Sequence, residues 1–171
     1  MAPLGGLLGG QVDQIALLVP DLEAAMDGYV ASMNLTFSVF EVTEANSTFS
    51  GSSPLFRLRI AVALAGLVSV ELIQPAGGTT LHSQHLQSRG PGLHHMGVYV
   101  SNLAKAQSGL VARGYRSIME GQIQGLGEFA YFEAPDLHCI VEPLRLSAKL
   151  PIFLARNAVS YSGPKSRRPG T

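Results

Sequence analysis

A chain of 171 residues is long enough for one domain or two small fused modules, and its 46% of hydrophobic residues can fill a core. Charged residues make up only 14% and the formal net charge is zero, which excludes nucleic acid as the main partner, because phosphate backbones call for clustered Lys and Arg. The single cysteine, Cys139, excludes an internal disulfide, and no apolar run is long enough to cross a bilayer, so a cytoplasmic protein with no membrane partner is expected.

Residues 1–11 read as a loose Gly-rich leader, without the basic start of a signal peptide. Val12 to Val19 is an apolar, β-branched run bounded by Pro20, which predicts a strand. Asp21 can cap a helix carrying Leu22, Ala25, Met26, Tyr29 and Val30 at helical spacing, with Asn34 as a left-handed stop. Thr36 to Thr43 predicts a second strand, Glu44 to Pro54 a loop, and Phe56 to Ala65 and Leu67 to Gln74 two more strands reversing at Gly66. A connector over 76–92 follows, with room for a short helix.

The order then repeats. Leu93 to Val100 predicts a strand, Asn102 a helix cap, and Leu103, Ala106, Leu110 and Val111 the apolar stripe, with Gly114 at the stop. Arg116 to Gln122, Glu128 to Ala134 and His138 to Leu146 are the remaining strands, with Pro135-Asp136 between the last two. From Ser147 onward periodicity is lost. Pro151 to Leu154 can dock as an arm, and the tail with Lys165-Ser166-Arg167-Arg168 reads as a solvated, disordered terminus. The expected architecture is α+β: two tandem βαβββ modules, 12–75 and 93–146, forming a cupped eight-stranded mixed sheet with helices outside. Neither half can bury both faces of a four-stranded sheet alone.

The repeat is also visible residue by residue. Val12-Asp13-Gln14-Ile15-Ala16-Leu17-Leu18-Val19 is echoed by Leu93-His94-His95-Met96-Gly97-Val98-Tyr99-Val100, 81 residues later counted from Gln14 to His95, and Val70-Glu71-Leu72 is echoed by Val141-Glu142-Pro143. Strand alternation sets Gln14 with Ala16 and Leu18, His95 with Gly97 and Tyr99, Glu71 with Ser69 and Ile73, and Glu142 with Ile140 and Leu144. Two ionised carboxylates in buried strands are costly to desolvate and repel each other. A divalent cation removes both penalties, and an imidazole and an amide oxygen complete its shell. Taken singly, each residue has a plainer reading: His95 as a hydrogen-bonded core residue, Glu71 paired with Arg57 or Arg59, Glu142 paired with Arg145, and Gln14 turned to solvent. Their recurrence at related positions in both modules favours a metal.

With the stretches Val12-Asp13-Gln14-Ile15, Val70-Glu71-Leu72, Gly92-Leu93-His94-His95-Met96 and Val141-Glu142-Pro143, the chain resembles the vicinal oxygen chelate superfamily. That group includes glyoxalase I, methylmalonyl-CoA epimerase, extradiol dioxygenases and bleomycin-resistance proteins. The resemblance covers about residues 12–146, and Gly90-Pro91-Gly92-Leu93-His94-His95 is most similar to the epimerase branch. It implies one divalent ion (Zn, Ni, Co or Mn) on Gln14, Glu71, His95 and Glu142, and a ligand role for His95 rather than His94. Gln14 stands where the epimerase pattern has a His, and the resulting set is similar to one glyoxalase I branch. Iron(II) chemistry of the dioxygenase kind wants a second His, which weakens that reading.

The resemblance further implies a metal-dependent isomerase, epimerase or lyase that abstracts a proton next to a carbonyl, with Glu142 as the base and Glu71 or Gln14 on the opposite side of the metal. It implies a small-molecule substrate, including a CoA thioester, and a homodimer. The alternative is a non-catalytic binder on the same scaffold, or a cyclase of specialised metabolism. Arg57 and Arg59 share a strand face and can grip a carboxylate, phosphate or thioester-linked carrier, or stand solvated at a sheet edge. Phe40, Tyr99 and Tyr131, with Phe56, are candidate pocket walls. His82 and His85 in the connector are expected to lie outside the cup, and His138 either lines the pocket or sits at a strand end.

Overall fold

The computed structural model describes residue 8 and residues 11–50, 55–134 and 137–164. Residues 1–7, 9 and 10 of the leader, 51–54 of the expected loop, Pro135-Asp136, and the basic tail from Lys165 to Arg168 fall outside the described residues. Ten strands form one sheet: β1 (Gln14–Leu18), β2 (Phe37–Thr43), β3 (Ser47–Phe49), β4 (Arg57–Ala65), β5 (Val68–Gly77), β6 (Gly92–Tyr99), β7 (Arg116–Ile123), β8 (Gly127–Ala134), β9 (Cys139–Leu146) and β10 (Val159–Tyr161). Their spatial order is β10-β2-β4-β5-β1-β6-β9-β8-β7-β3. The class is the expected α+β arrangement of two matched halves with helices outside, but among the described residues the sheet has ten strands rather than eight.

The two added strands explain the difference. The Ser-rich stretch expected to be a loop after β2 contains β3, which crosses to the second half and pairs with β7, Thr48 opposite Gln122. The C-terminal stretch that lacks periodicity forms α4 (Leu150–Asn157) and then β10, which adds to β2 with Ser160 opposite Ser38. Strand β5 also runs three residues beyond the expected end, through Pro75 to Gly77.

Helix α1 (Leu22–Met33) begins where the Asp21 carboxylate accepts the Ala24 N–H at 3.0 Å and ends at Asn34, whose φ of 53° is left-handed. In α3 (Leu103–Val111) Asn102 does the same for Lys105 N–H. Both helices pack outside the sheet. Leu22 and Met26 of α1 bury against Phe37, Ala61 and Leu72, while Ala106 and Leu110 of α3 bury against Val98, Phe132 and Val141. The alternate residues of the same strands point inward, where Phe40, Leu58, Ile60, Phe129, Tyr131 and Leu144 belong to a separate cluster. The period-two alternation thus divides one sheet into a helix-covered outer face and an inner cup. Helix α4 packs into the open side of that cup, Phe153 meeting Phe40 edge-on at 5.3 Å.

The connector forms α2 (Leu81–Arg89), started by a reciprocal cap between Thr80 and Ser83. No helix among the described residues is long and apolar enough to cross a membrane.

The two halves meet within the chain at the antiparallel β1–β6 seam, with Gln14 opposite Gly97 and Ala16 opposite His95. The flanking pairs are parallel, Ala16 with Glu71 and Gly97 with Glu142. Gln14 and His95 thus hold matched places, and each faces a residue too small to obstruct it.

Candidate functional site

Strands β5, β1, β6 and β9 are neighbours at the centre of the sheet, so one inward residue from each can reach a common point. Glu71, Gln14, His95 and Glu142 are those residues. His95 Nε2 stands 3.1 Å from Glu142 Oε2 and 3.4 Å from Glu71 Oε2. Gln14 Nε2 donates to Glu71 Oε2 at 2.6 Å. His95 is fully buried, Gln14 and Glu142 are 5% exposed, and the Glu71 side chain is 13% exposed.

Backbone room makes the cluster possible. A Cβ placed on Gly97 would come within 2.9 Å of Gln14 Cβ and 3.3 Å of Glu142 Oε2. Gly97 is therefore part of the site, although it offers no chemistry of its own. Its only sequence signal is its place two residues after His95, on the same strand face.

Electrostatics follows from burial and proximity. Burial by itself lowers the His95 pKa, but the Glu142 and Glu71 carboxylates outweigh it and push the value up to about 9. Burial raises the Glu142 pKa, with His95 opposing and Glu71 adding to the rise. Behind the site, His94 Nδ1 lies 2.9 Å from His95 Nδ1. Burial, reinforced by neighbouring cationic groups, holds His94 well below the usual histidine range, so neutral His94 accepts and His95 Nδ1–H donates. That bond turns His95 Nε2 toward the carboxylates.

His95 Nε2 and Glu142 Oε2 are both buried without a well-formed hydrogen bond. Two such atoms facing each other, with an amide and a second carboxylate beside them, are a donor set that fits a divalent cation. As placed, the side chains close on one another as an ion pair, and no group of three or more His, Cys, Asp or Glu is opened around a cation-sized gap among the described residues. The donor chemistry and the orphaned atoms are the observations that speak for a metal.

The cup beside this cluster is a cavity of about 150 Å³. Phe40 and Tyr131 line it, as does Tyr99, which is 41% exposed and has its hydroxyl 3.2 Å from Ser69 Oγ. Phe56 is buried in the wall behind, stacked on Phe49. His82 also lines the cup, contrary to the expectation that the connector lies outside it. The capped first turn of α2 aims His82 inward, where Nε2 meets the Tyr131 hydroxyl at 3.1 Å, and burial lowers its pKa to about 3. The signal for this was Thr80 and Ser83 at capping-box spacing, with Leu81 and Leu86 flanking the histidine.

Arg57 and Arg59 do not line the cup. Leu58 and Ile60 take the inward face of β4, which turns both arginines to the helix side. There Arg59 pairs with Glu23 at 2.5 Å and also donates to Gln74 Oε1. A wider groove of about 870 Å³ runs beside α2, with His85, His94 and Cys139 among its lining residues. The exposed His138, at φ 53°, belongs to that groove and not to the cup. None of the four clustered residues borders it.

The family model described as the Glyoxalase/Bleomycin resistance protein/Dioxygenase superfamily matches residues 13–132. No curated protein matches the chain. Among solved structures, the chain is similar to methylmalonyl-CoA epimerase from Mycobacterium tuberculosis, at 19% identity and a TM-score of 0.66, covering 85% of this chain and 93% of that one. It is also similar to a Streptomyces coelicolor methylmalonyl-CoA epimerase variant in complex with 2-nitronate-propionyl-CoA, at 18% identity and a TM-score of 0.62, covering 81% and 95%. A third, a methylmalonyl-CoA epimerase in complex with methylmalonyl-CoA and NH4+, has 19% identity and a TM-score of 0.60, covering 81% and 95%. At these identities the structures bear on the fold alone. Given the matched span and the paired βαβββ halves, the chain belongs to the glyoxalase/bleomycin resistance protein/dioxygenase superfamily.

Proposed function

We propose that the chain is a metal-dependent isomerase or epimerase that removes a proton from the carbon next to a carbonyl and returns it. The observation that carries this reading is the convergence of two carboxylates on a buried imidazole, with His95 Nε2 and Glu142 Oε2 facing each other and neither held in a well-formed hydrogen bond. Gln14, Glu71, His95 and Glu142 would hold one divalent ion, zinc, nickel, cobalt or manganese. When bound, it supplies Lewis-acid stabilisation of the negative charge that develops as the proton leaves.

The protein's own groups supply the rest. Burial raises the proton affinity of Glu142, which suits a general base working on a weak carbon acid. Glu71, on a strand on the other side of the β1–β6 seam, would return a proton from the opposite flank. Gln14 donates to Glu71 and fixes that carboxylate's orientation. His94 fixes His95 in the same way through the Nδ1 contact. The apolar wall of Phe40, Leu58 and Ile60 keeps bulk water from quenching the carbanion.

The test is to purify the protein without chelator and measure bound divalent metal in the wild type and in Glu142→Ala. About one ion per chain, lost in the variant, is expected, with deuterium entering the α-carbon of a bound ketone or thioester only in the loaded protein. A wild type that neither carries nor accepts metal removes the proposal. In that event the better reading is a non-catalytic small-molecule binder. The closed Glu71–His95–Glu142 ion pair beside an apolar cavity is the feature that favours it.

A further inference from the structure

Resting on the reading of the cup as a proton-abstraction site, the wall chemistry narrows the substrate class. Among the described residues that line the cup, none is Lys or Arg, and the only carboxylates are Glu71 and Glu142. One divalent ion would cancel those two charges and leave no positive charge over for a substrate anion. A carboxylate or phosphate entering an apolar, two-acid cavity would lose its hydration and meet no surplus positive charge to offset that loss, which is unfavourable. The arginines nearest in sequence are turned away, and Arg59 is already bound to Glu23.

Size points the same way. The cavity's 150 Å³ is about half of the roughly 300 Å³ at the small end of ligand pockets. Leu150 and Leu154 of α4 close its open side, while Phe153 is held between Phe40 and Gly125. Apart from the Gln14 amide and the neutral His82 imidazole, the uncharged polar groups on the wall are hydroxyls, the Tyr131 phenol backed by His82, Tyr99 beside Ser69, and Ser38. Hydroxyls of this kind suit a carbonyl or alcohol oxygen. We propose that the cup takes a small uncharged ketone with an apolar body, enolisable at the carbon beside its carbonyl, in preference to malonyl-type acids and other anions.

The test uses the intact protein, zinc-loaded and zinc-free, with two probes of similar size: 2-methylcyclohexanone and methylmalonate. Binding is followed by saturation-transfer NMR. The expected result is that the ketone binds at least about tenfold more tightly than methylmalonate in both states, and that Ser38→Lys, which adds a cation to the wall away from the four clustered residues, narrows or reverses the preference. Methylmalonate binding as tightly as the ketone overturns the inference, and so does failure of the ketone to bind. Deuterium exchange separates this inference from the reading beneath it. Ketone binding without exchange in the loaded protein leaves the substrate class standing and removes the isomerase reading. Exchange into methylmalonate with no ketone binding does the reverse.

Discussion

At the scale of single residues, the site depends as much on what is missing from Gly97 as on what its neighbours carry. Gly97→Ala forces a methyl group to within 2.9 Å of Gln14 Cβ and against Glu142 Oε2. Overpacking of this kind costs about 1–3 kcal/mol, so chemical denaturation should show that loss together with weakened zinc binding. His95 yields a second prediction. Its folded pKa, about 9, lies above the ordinary 6.5, so in metal-free protein its stabilising contribution is whole below pH 6.5 and is lost as pH rises through about 9. On the proposed reading, a metal ion binding at His95 must displace that proton. Zinc affinity, measured by chelator competition, should therefore rise about tenfold per pH unit from 6.5 toward 9. A flat profile would mean that His95 is not a ligand.

At the scale of elements, α2 is the part of the site that strand alternation could not reveal, because it lies in the connector, and α4, which follows the last strand of the second half as α2 follows that of the first, carries no matching sequence. Its first turn is set by Thr80 and Ser83, and that turn delivers His82 to Tyr131. Thr80→Ala should cost about 1 kcal/mol in thermal or urea unfolding and loosen the His82–Tyr131 contact, visible as a shift in the Tyr131 ring resonances. The principal strands and both outer helices were legible from strand alternation, the Asp21 and Asn102 caps and the Asn34 stop. Strand β3 was not, since three residues in a Ser-rich stretch take their conformation from a distant partner, β7. Helix α4 and β10 escaped for the same reason: each is short and is held by contacts with the first half of the chain. The turning of Arg57 and Arg59 away from the cup was recoverable in part. Alternation placed them together, and Leu58 and Ile60 opposite them were the better core residues. Which face was the cup became clear only once Ala61 and Ala63, small enough to lie beneath α1, were seen on the arginine side.

At the scale of the whole molecule, the four candidate side chains could be grouped from the repeat, but their convergence required the β1–β6 seam, which no local pattern encodes. The same tight interior carries a consequence for acid stability. His82 has a folded pKa of about 3 against an ordinary 6.5, because burial, and then His95 and His85, disfavour its cation. The unfolded chain binds that proton first, so stability falls as pH drops from 6.5 toward 3. Urea unfolding across that window should show a slope that His82→Gln reduces by about one proton. An unchanged slope would place the sensitivity elsewhere.

The matched seating of Gln14 and His95 across the seam also bears on handedness. A centre assembled about a local twofold axis offers a flat reactant two flanks that are nearly interchangeable, one toward Glu71 and one toward Glu142. An amide on one side and an imidazole on the other are where that equivalence is broken. On the proposed reading, the stereochemical purity of whatever leaves the cup measures how far the two matched halves differ at that centre.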